Sequence, residues 1–296
     1  MELLYKKYID EIRYLDYMPR KKYDEFMDSI SGELNEMDKI CIYDGEVLQG
    51  IIYYSCWEEN NIMHCFVPVF GYYADSEKTL ARLFQKLAGE IVTDKKTEFS
   101  VHLYAHDFSS INAFHLMQFG TMSEKSVKKI SETMVNIEPT CEIRVLAKAE
   151  IKTRWNEVWS LTNEIVTHLQ RSPIFYPGKE FTEDVYREFF MDETTELLVA
   201  FHENEMVGMI EWNREANTFI CGKHMSVNVG EAYVAPVYRG TNLSVALLTK
   251  EEERAKKIGA EYMWVEHGTA NPNARGFWNK YFQTYQYELV RTIEKI

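Results

Sequence analysis

A chain of 296 residues is long for one compact domain and comfortable for two. Hydrophobic residues make up 46% of it and aromatic residues 14%, which provides for buried cores and excludes a disordered chain. A formal net charge of −13 argues against nucleic acid or an anionic membrane as partner, since both demand clustered Lys and Arg, and is compatible with cationic amines.

The five cysteines (Cys41, Cys56, Cys65, Cys141 and Cys221) are scattered without C-x-x-C spacing, so they read as reduced thiols of a cytoplasmic protein, and no metal is expected. The first residues mix charges throughout and do not read as a signal peptide. No run approaches the roughly 20 apolar residues of a membrane span.

In chain order, residues 1–30 carry Leu4, Tyr8, Ile12 and Leu15 on one stripe and read as helical, broken at Pro19 and Gly32. Strands near Lys39–Tyr43 and Val47–Ser55 flank Asp44-Gly45, a strong hairpin turn. A third strand is expected at Ile62–Val69. The spacing of Leu80, Leu83, Phe84, Leu87, Ala88 and Ile91 predicts a helix over Ser76–Val92. A strand at Phe99–Tyr104 then leads to Asn112-Ala113-Phe114 and on to Phe119-Gly120.

A joint is expected near Glu138-Pro139-Thr140, after the charged run Glu124–Glu132, so domains are expected at 1–138 and 139–296. The second half repeats the order of the first: a strand at Cys141–Leu146, helices at Lys152–Leu169 and Thr182–Met191 around the loop Arg171–Gly178, and a hairpin of Glu196–His202 with Met206–Trp212. The central strand follows, placing Val229, Glu231 and Tyr233 on one face and Gly230, Ala232 and Val234 on the other. Pro236 ends its ladder, and the polar turn Arg239-Gly240-Thr241-Asn242 opens a helix with Leu243, Ala246, Leu247, Ala255 and Ile258 mostly on one side. A strand at Tyr262–Glu266, a helix at Asn273–Tyr281 and a last strand at Tyr287–Ile293 complete the pattern. A strand, a tight turn and a helix N-terminus make a ready anion site, because the first N–H groups of a helix have no intrahelical partner and the dipole favours negative charge.

Val234-x-Pro236-x-x-Arg239-Gly240, followed by a helix reaching Leu247-Leu248, resembles the acyl-CoA signature of the GNAT superfamily of N-acyltransferases. The family turn reads Arg/Gln-x-x-Gly-x-Gly/Ala, and here Asn242 and Ser244 stand where small residues are usual; Asn is the non-glycine residue most tolerant of left-handed backbone. The resemblance covers 140–296 well and 35–125 loosely, where Gly71–Thr79 carry no matching turn. It implies an α/β fold of two tandem GNAT-like domains, each a twisted mixed sheet flanked by helices. The first would be a degenerate copy binding no CoA, and the second an acetyl-CoA-dependent N-acetyltransferase.

The resemblance further implies that Arg239, Gly240, Thr241, Asn242, Leu243 and Ser244 hold the pyrophosphate of acetyl-CoA. A free N–H at the end of the central strand, at Val234 with Ala235 beside it, would face the thioester carbonyl. Glu231 is the first choice of general base, with a solvent-facing strand residue as its other reading; Glu211 and Glu266 are alternatives, as is His267, whose other reading is a hydrogen-bonded structural residue. Trp278 occupies the place of the family's acidic tyrosine and has no acidic proton; Tyr281, three residues on, is the substitute donor, with core packing as its other role. Asn273 either orients the CoA arm or caps its helix. The loop Arg171–Gly178 and Trp155, Trp159, Phe175, Tyr176 and Trp212 are candidates to line the site of a small-molecule or peptide amine whose identity the pattern does not give. The off-pattern residues also admit a non-catalytic acyl-CoA sensor or a scaffold, and oligomeric state is not legible.

Overall fold

Leu4, Tyr8 and Ile12 lie one turn apart, and they bury one side of α1 (Glu2–Ile12), as Phe26, Ile30 and Leu34 do for α2 (Tyr23–Asn35). The computed structural model describes all residues except 16, 17, 19, 131–140, 177–180, 215–217 and 295–296. Pro19, the expected joint at 138–140 and the end of the loop at 177–178 lie outside the described residues. Gly32 does not break α2, because nothing lies near its missing side chain and the apolar stripe continues to Leu34.

Gly45 takes φ +58° and closes a hairpin of β1 (Asp38–Asp44) with β2 (Val47–Glu59), as the Asp-Gly pair predicts. β2 pairs antiparallel with β3 (Ile62–Val67) and with the short β4 (Tyr72–Ala74), which the sequence reading missed. α3 (Glu77–Ile91) crosses over and buries Leu80, Leu83, Phe84 and Leu87, so β5 (Lys96–Tyr104) returns parallel to β3. α4 (Phe108–Leu116) follows, and β6 (Gly120–Lys129) runs into the charged stretch, where no strand was expected.

The remaining elements are β7 (Glu142–Val145), α5 (Lys148–Thr153), α6 (Trp155–Gln170), α7 (Glu183–Met191), β8 (Thr195–His202), β9 (Glu205–Asn213), β10 (Ser226–Val234), α8 (Leu243–Lys257), β11 (Tyr262–Gly268), α9 (Pro272–Trp278) and β12 (Gln283–Ile293). The expected single helix at Lys152–Leu169 is thus two helices, divided at Arg154. The chain forms two compact units, Met1–Lys125 with Gln283–Ile296, and Ser126–Phe282. The expected division into 1–138 and 139–296 is therefore corrected at both ends. β12, read as the last strand of the second domain, pairs antiparallel with β5 of the first unit from Gln286↔Tyr104 to Ile293↔Thr97.

Each unit has a mixed sheet with helices on it. In the first unit β1, β2, β3, β5 and β12 are successive neighbours, and in the second β11, β10, β9, β8 and β7. Both units place an antiparallel hairpin before a strand–helix–strand crossover: β1-β2-β3-α3-β5-α4 in one, β8-β9-β10-α8-β11-α9 in the other. This is the tandem α/β arrangement expected from the sequence. In the second unit the sheet separates two cores. Leu243, Leu247 and Leu248 of α8 meet Ile210, Trp212 and Val229 on one face, while Trp155 and Val158 of α6 and Tyr186 and Phe190 of α7 meet Met209 on the other.

Leu289 of β12 is fully buried opposite Val101. Replacing it with alanine is expected to cost about 3 kcal/mol through lost transfer energy and the cavity left behind. Urea unfolding followed by circular dichroism measures this; a loss below about 1 kcal/mol would show that β12 is dispensable to the first unit.

Candidate active site

The site begins with an irregularity in β10. Asn228 and Val229 face Asn213 and Trp212 of β9, and Ala232, Tyr233 and Val234 face Ile210, Met209 and Gly208, so Gly230 and Glu231 together oppose Glu211 alone. This β-bulge reverses the alternation of the strand. Val229 packs with α8, whereas Tyr233 packs with the α6–α7 core, which corrects the expectation that Val229, Glu231 and Tyr233 share a face. Glu231 is turned to the α7 side, where the Tyr186 hydroxyl donates to its Oε1 at 2.8 Å.

β10 also parts from β11. Their parallel pairing covers only Ser226, Val227 and Asn228 against Tyr262, Met263 and Trp264. Beyond Asn228, the described residues of β10 have no β11 partner, and Ala232 is exposed in mid-strand. Ala235 N–H donates to Val207 O at 2.9 Å. Because successive N–H groups of a strand point to opposite edges, Val234 N–H is directed toward the side that β11 has left. The Val234 carbonyl, on that same edge, accepts from Arg239 Nε at 3.1 Å. Of the two expected donors, Val234 faces the gap and Ala235 is committed to the ladder.

The turn that follows has left-handed backbone at Gly240 (φ +81°) and at Asn242 (φ +65°), the conformation Asn tolerates best among side-chain-bearing residues. Thr241 Oγ1 donates to Tyr238 O at 2.6 Å and shapes the turn from within. Asn242 precedes α8 without a capping side-chain bond, and the first intrahelical bond is from Ala246 N–H to Asn242 O. The N–H groups of Leu243, Ser244 and Val245 are left directed outward, an arrangement that suits the oxygens of a pyrophosphate. The Leu243 side chain is buried and anchors this end of the helix, while Thr241, Asn242 and Arg239 are exposed. The equivalent place in the first unit differs twice. β3 stays paired with β5 through Val67, its last residue, and Ser76 Oγ accepts Thr79 N–H at the start of α3.

Carboxyl groups gather at the bulge. Glu211 is buried, and its Oε2 accepts Glu231 N–H at 3.2 Å. Burial, then the charge of Glu231, pushes its carboxyl up to about 8, opposed by that hydrogen bond. Burial also raises the Glu231 carboxyl, and the Tyr186 hydrogen bond opposes the rise. On α8, Glu251 is fully buried with neither carboxyl oxygen hydrogen-bonded among the described residues. Burial holds it well above the usual carboxylate range; Arg254 draws it down, and Glu196 and Glu211 add to the rise.

The other expected residues are dispersed. Asn271, not Asn273, caps α9, its Oδ1 accepting the N–H groups of Asn273 and Ala274 at 3.2 Å, and Asn273 is left exposed. α9 ends at Trp278, which is buried in the core, so Tyr281 lies beyond the helix expected to carry it and packs against Phe277. His267 is buried at the end of β11 and Glu266 is exposed. Of the aromatic candidates, Trp155 and Trp212 are core residues and Phe175 is exposed. Trp159 and Tyr176 are half-buried in a strip with Phe181 and Tyr186, with centroids of neighbouring rings 5.6–6.2 Å apart. Tyr186, the partner of Glu231, was missed in the sequence; its i, i+4 spacing to Phe190 marked only a helix face. Among the described residues no group of three His, Cys, Asp or Glu side chains is placed to hold a metal ion, and no helix is long and apolar enough to cross a membrane.

Residues 162–282 match the family model described as acetyltransferase (GNAT) family. The matched residues contain the parted strands, the turn and α9, so this part of the chain is similar to the acetyltransferase (GNAT) family. A GCN5-related N-acetyltransferase from Sphaerobacter thermophilus is similar in fold, with 11% identity, TM-score 0.57 and coverage of 99% of this chain and 92% of that one. A GCN5-related glucosamine N-acetyltransferase region of a fungal multi-domain GH3 β-N-acetylglucosaminidase aligns with TM-score 0.50 at 11% identity, over 99% of this chain and 36% of that one. A tandem GNAT protein of the clavulanic acid biosynthesis pathway aligns at 11% identity and TM-score 0.48, over 99% and 95%. No curated protein matches the sequence.

Two measurements probe this geometry. Asn242→Val places a β-branched residue in left-handed backbone and is expected to lower stability by about 1–2 kcal/mol in thermal unfolding, whereas Asn242→Gly should cost none. The buried carboxyl of Glu251 is protonated in the folded state over a range where the unfolded chain, with a carboxyl near 4.5, has already lost its proton. Its contribution to stability is therefore full below pH 4.5 and falls as pH rises toward the folded-state value. Glu251→Gln removes that dependence, so urea titrations should show the variant gaining on the parent from pH 5 to pH 8; a constant difference would refute it.

Proposed function

We propose that the unit Ser126–Phe282 is an N-acetyltransferase that transfers an acetyl group from acetyl-CoA to a primary amine. The observation that carries this reading is the parting of β10 from β11 after Asn228 beside a helix N-terminus with uncommitted N–H groups. When bound, acetyl-CoA supplies an acetyl group activated as a thioester. The turn Arg239–Ser244 would hold its pyrophosphate, with Gly240 and Asn242 giving the backbone its curvature and Arg239 adding positive charge. Exposed Asn273, relieved of capping by Asn271, is available to the CoA arm.

Val234 N–H, at the parted edge, would donate to the thioester carbonyl oxygen as negative charge develops there; loss of such a donor typically costs about 3 kcal/mol. Glu231 would take the proton of the incoming ammonium, directly or through water. Its carboxyl is raised toward the working pH by burial, and its orientation is set by the Tyr186 hydroxyl. Tyr281 is the candidate donor of a proton to the departing thiolate. A second reading, a non-catalytic acyl-CoA sensor, draws support from the buried Trp278 at the family's tyrosine place and from the packing of Tyr281 against Phe277.

Isothermal titration with acetyl-CoA, followed by thiol release with a panel of polyamines, amino sugars, amino acids and peptides, tests both. The expected result is binding and thiol release with at least one amine, and in Arg239→Glu a loss of acetyl-CoA affinity of about tenfold or more with an unchanged unfolding midpoint. Binding without turnover on any amine favours the sensor. Unmeasurable binding by the parent chain removes both readings.

A further inference from the structure

Glu211 was weighed in the sequence as an alternative base, yet its surroundings assign it a different task. It stands alone on β9 opposite the two residues of the bulge. Its Oε2 accepts the N–H of Glu231, a bulge residue outside the register of the ladder. The same oxygen lies so close to Gly230 that a Cβ there would overlap it, so only glycine admits the carboxyl at this point. Its Oε1 is buried without a hydrogen-bond partner among the described residues. A buried, half-satisfied acid in a strand is costly to keep. What it achieves is to fix the backbone at the residue whose carboxyl meets Tyr186.

We propose that Glu211 is a positioning residue of the transfer reaction, holding the Gly230–Glu231 bulge in the shape that presents the Glu231 carboxyl beside Tyr186 for the incoming amine. The inference rests on the acetyltransferase reading for its chemistry, but the clamp itself is a property of the fold. Without it, Glu231 N–H would seek a ladder bond, and closing the bulge would carry Glu231 to the opposite face, because strand side chains alternate. The titratable groups close enough to bias Glu211 are Glu231 on β10, Tyr186 on α7 and Glu251 on α8. Among the described residues none of these is a cation, and burial pushes the carboxyl up to about 8, which favours its neutral form at pH 7. A neutral carboxyl places no second negative charge beside Glu231, and its carbonyl oxygen still accepts the amide proton.

Glutamine reproduces the neutral form and its acceptor, and alanine removes both. The test uses the full chain as Glu211→Gln, Glu211→Ala and Gly230→Ala, the last displacing the carboxyl while keeping it. In Glu211→Gln the Glu231 amide is expected to exchange its hydrogen as slowly as in the parent, and a carboxyl titration near 8 is expected to vanish from the 13C spectrum of glutamate-labelled protein. In Glu211→Ala and Gly230→Ala that amide is expected to exchange about 100-fold faster. Thiol release from acetyl-CoA with an amine that the panel finds active is expected to fall about 100-fold in these two variants, in kcat and not in the KM for acetyl-CoA, on the order that a misplaced reacting group costs. Glu211→Gln is expected to recover most of that loss.

An unchanged Glu231 amide in Glu211→Ala overturns the proposal, as does Glu211→Gln being as impaired as Glu211→Ala, which would make Glu211 itself the base. If Glu211→Ala does not fold, Gly230→Ala and Glu211→Gln decide between these outcomes. Failure of the parent chain to release thiol with any amine would instead refute the acetyltransferase reading, and the exchange and titration results would still judge the clamp.

Discussion

The constraint on which the second unit turns is the incomplete hydrogen bonding of one edge of β10. Backbone N–H and C=O groups that leave a ladder must find other partners or water, and a strand that keeps one neighbour while parting from the other does so only next to space. β10 keeps β9 to Val234 and leaves β11 after Asn228. The exposed Ala232, the outward N–H of Val234 and the reach of Arg239 to the Val234 carbonyl all follow from that parting. The Gly230–Glu231 bulge lies between the two regimes, and it makes the strand show one set of side chains to α8 before it and another to α6 and α7 after it.

The first unit shows what the same order of elements looks like without the parting. β3 and β5 stay in register for the whole length of β3, so the corresponding backbone edge is spent on the sheet. Ser76 caps α3 with its own hydroxyl, occupying the helix-terminal N–H that an anion would otherwise meet. At α8 the residue in the capping place is Asn242, held in left-handed backbone with its side chain making no cap. Two local choices, a ladder continued and a hydroxyl placed, thus distinguish the first unit from the second.

Much of this was legible in the sequence because it depends on neighbours. Asp44-Gly45 marked its hairpin, and Glu203-Asn204, between the strands expected at Glu196–His202 and Met206–Trp212, takes positive φ at both turn residues. The apolar stripes of α3 and α8 fixed those helices, although Ile258, expected on the α8 stripe, lies just past the helix and is exposed. What escaped depends on distant partners. β6 was not read as a strand because Glu124, Lys125, Lys128 and Lys129 dominate it, yet Ser126 and Val127 are buried. The place of β12 in the first unit could not be read, since adjacency along the chain favours the preceding domain. Nor could the bulge: alternation is the only signal a strand offers, and one extra residue inverts it. Glu231 was placed on the central strand near Val234 but assigned the wrong face, and its contacts with Tyr186 and Glu211 were not seen.

The loss of a tyrosine at Trp278 weighs less on the acetyltransferase reading than the presence of Glu231 does. A thiol has a pKa of about 8.5, so a departing thiolate near pH 7 is a fair leaving group that water can protonate. A primary alkylammonium titrates near 10.4, and removing its proton at pH 7 requires about 3 units, or roughly 5 kcal/mol. Of the two proton transfers, the one at the amine is the harder, and a carboxyl raised by burial beside the parted strand is suited to it. On the acetyltransferase reading the proton that Tyr281 would donate is the easier of the two, and its packing against Phe277 weighs less against that reading. On the same reading Glu211, its carboxyl raised by burial, would leave Glu231 as the group whose charge the ammonium meets, with the bulge held by the hydrogen bond between them.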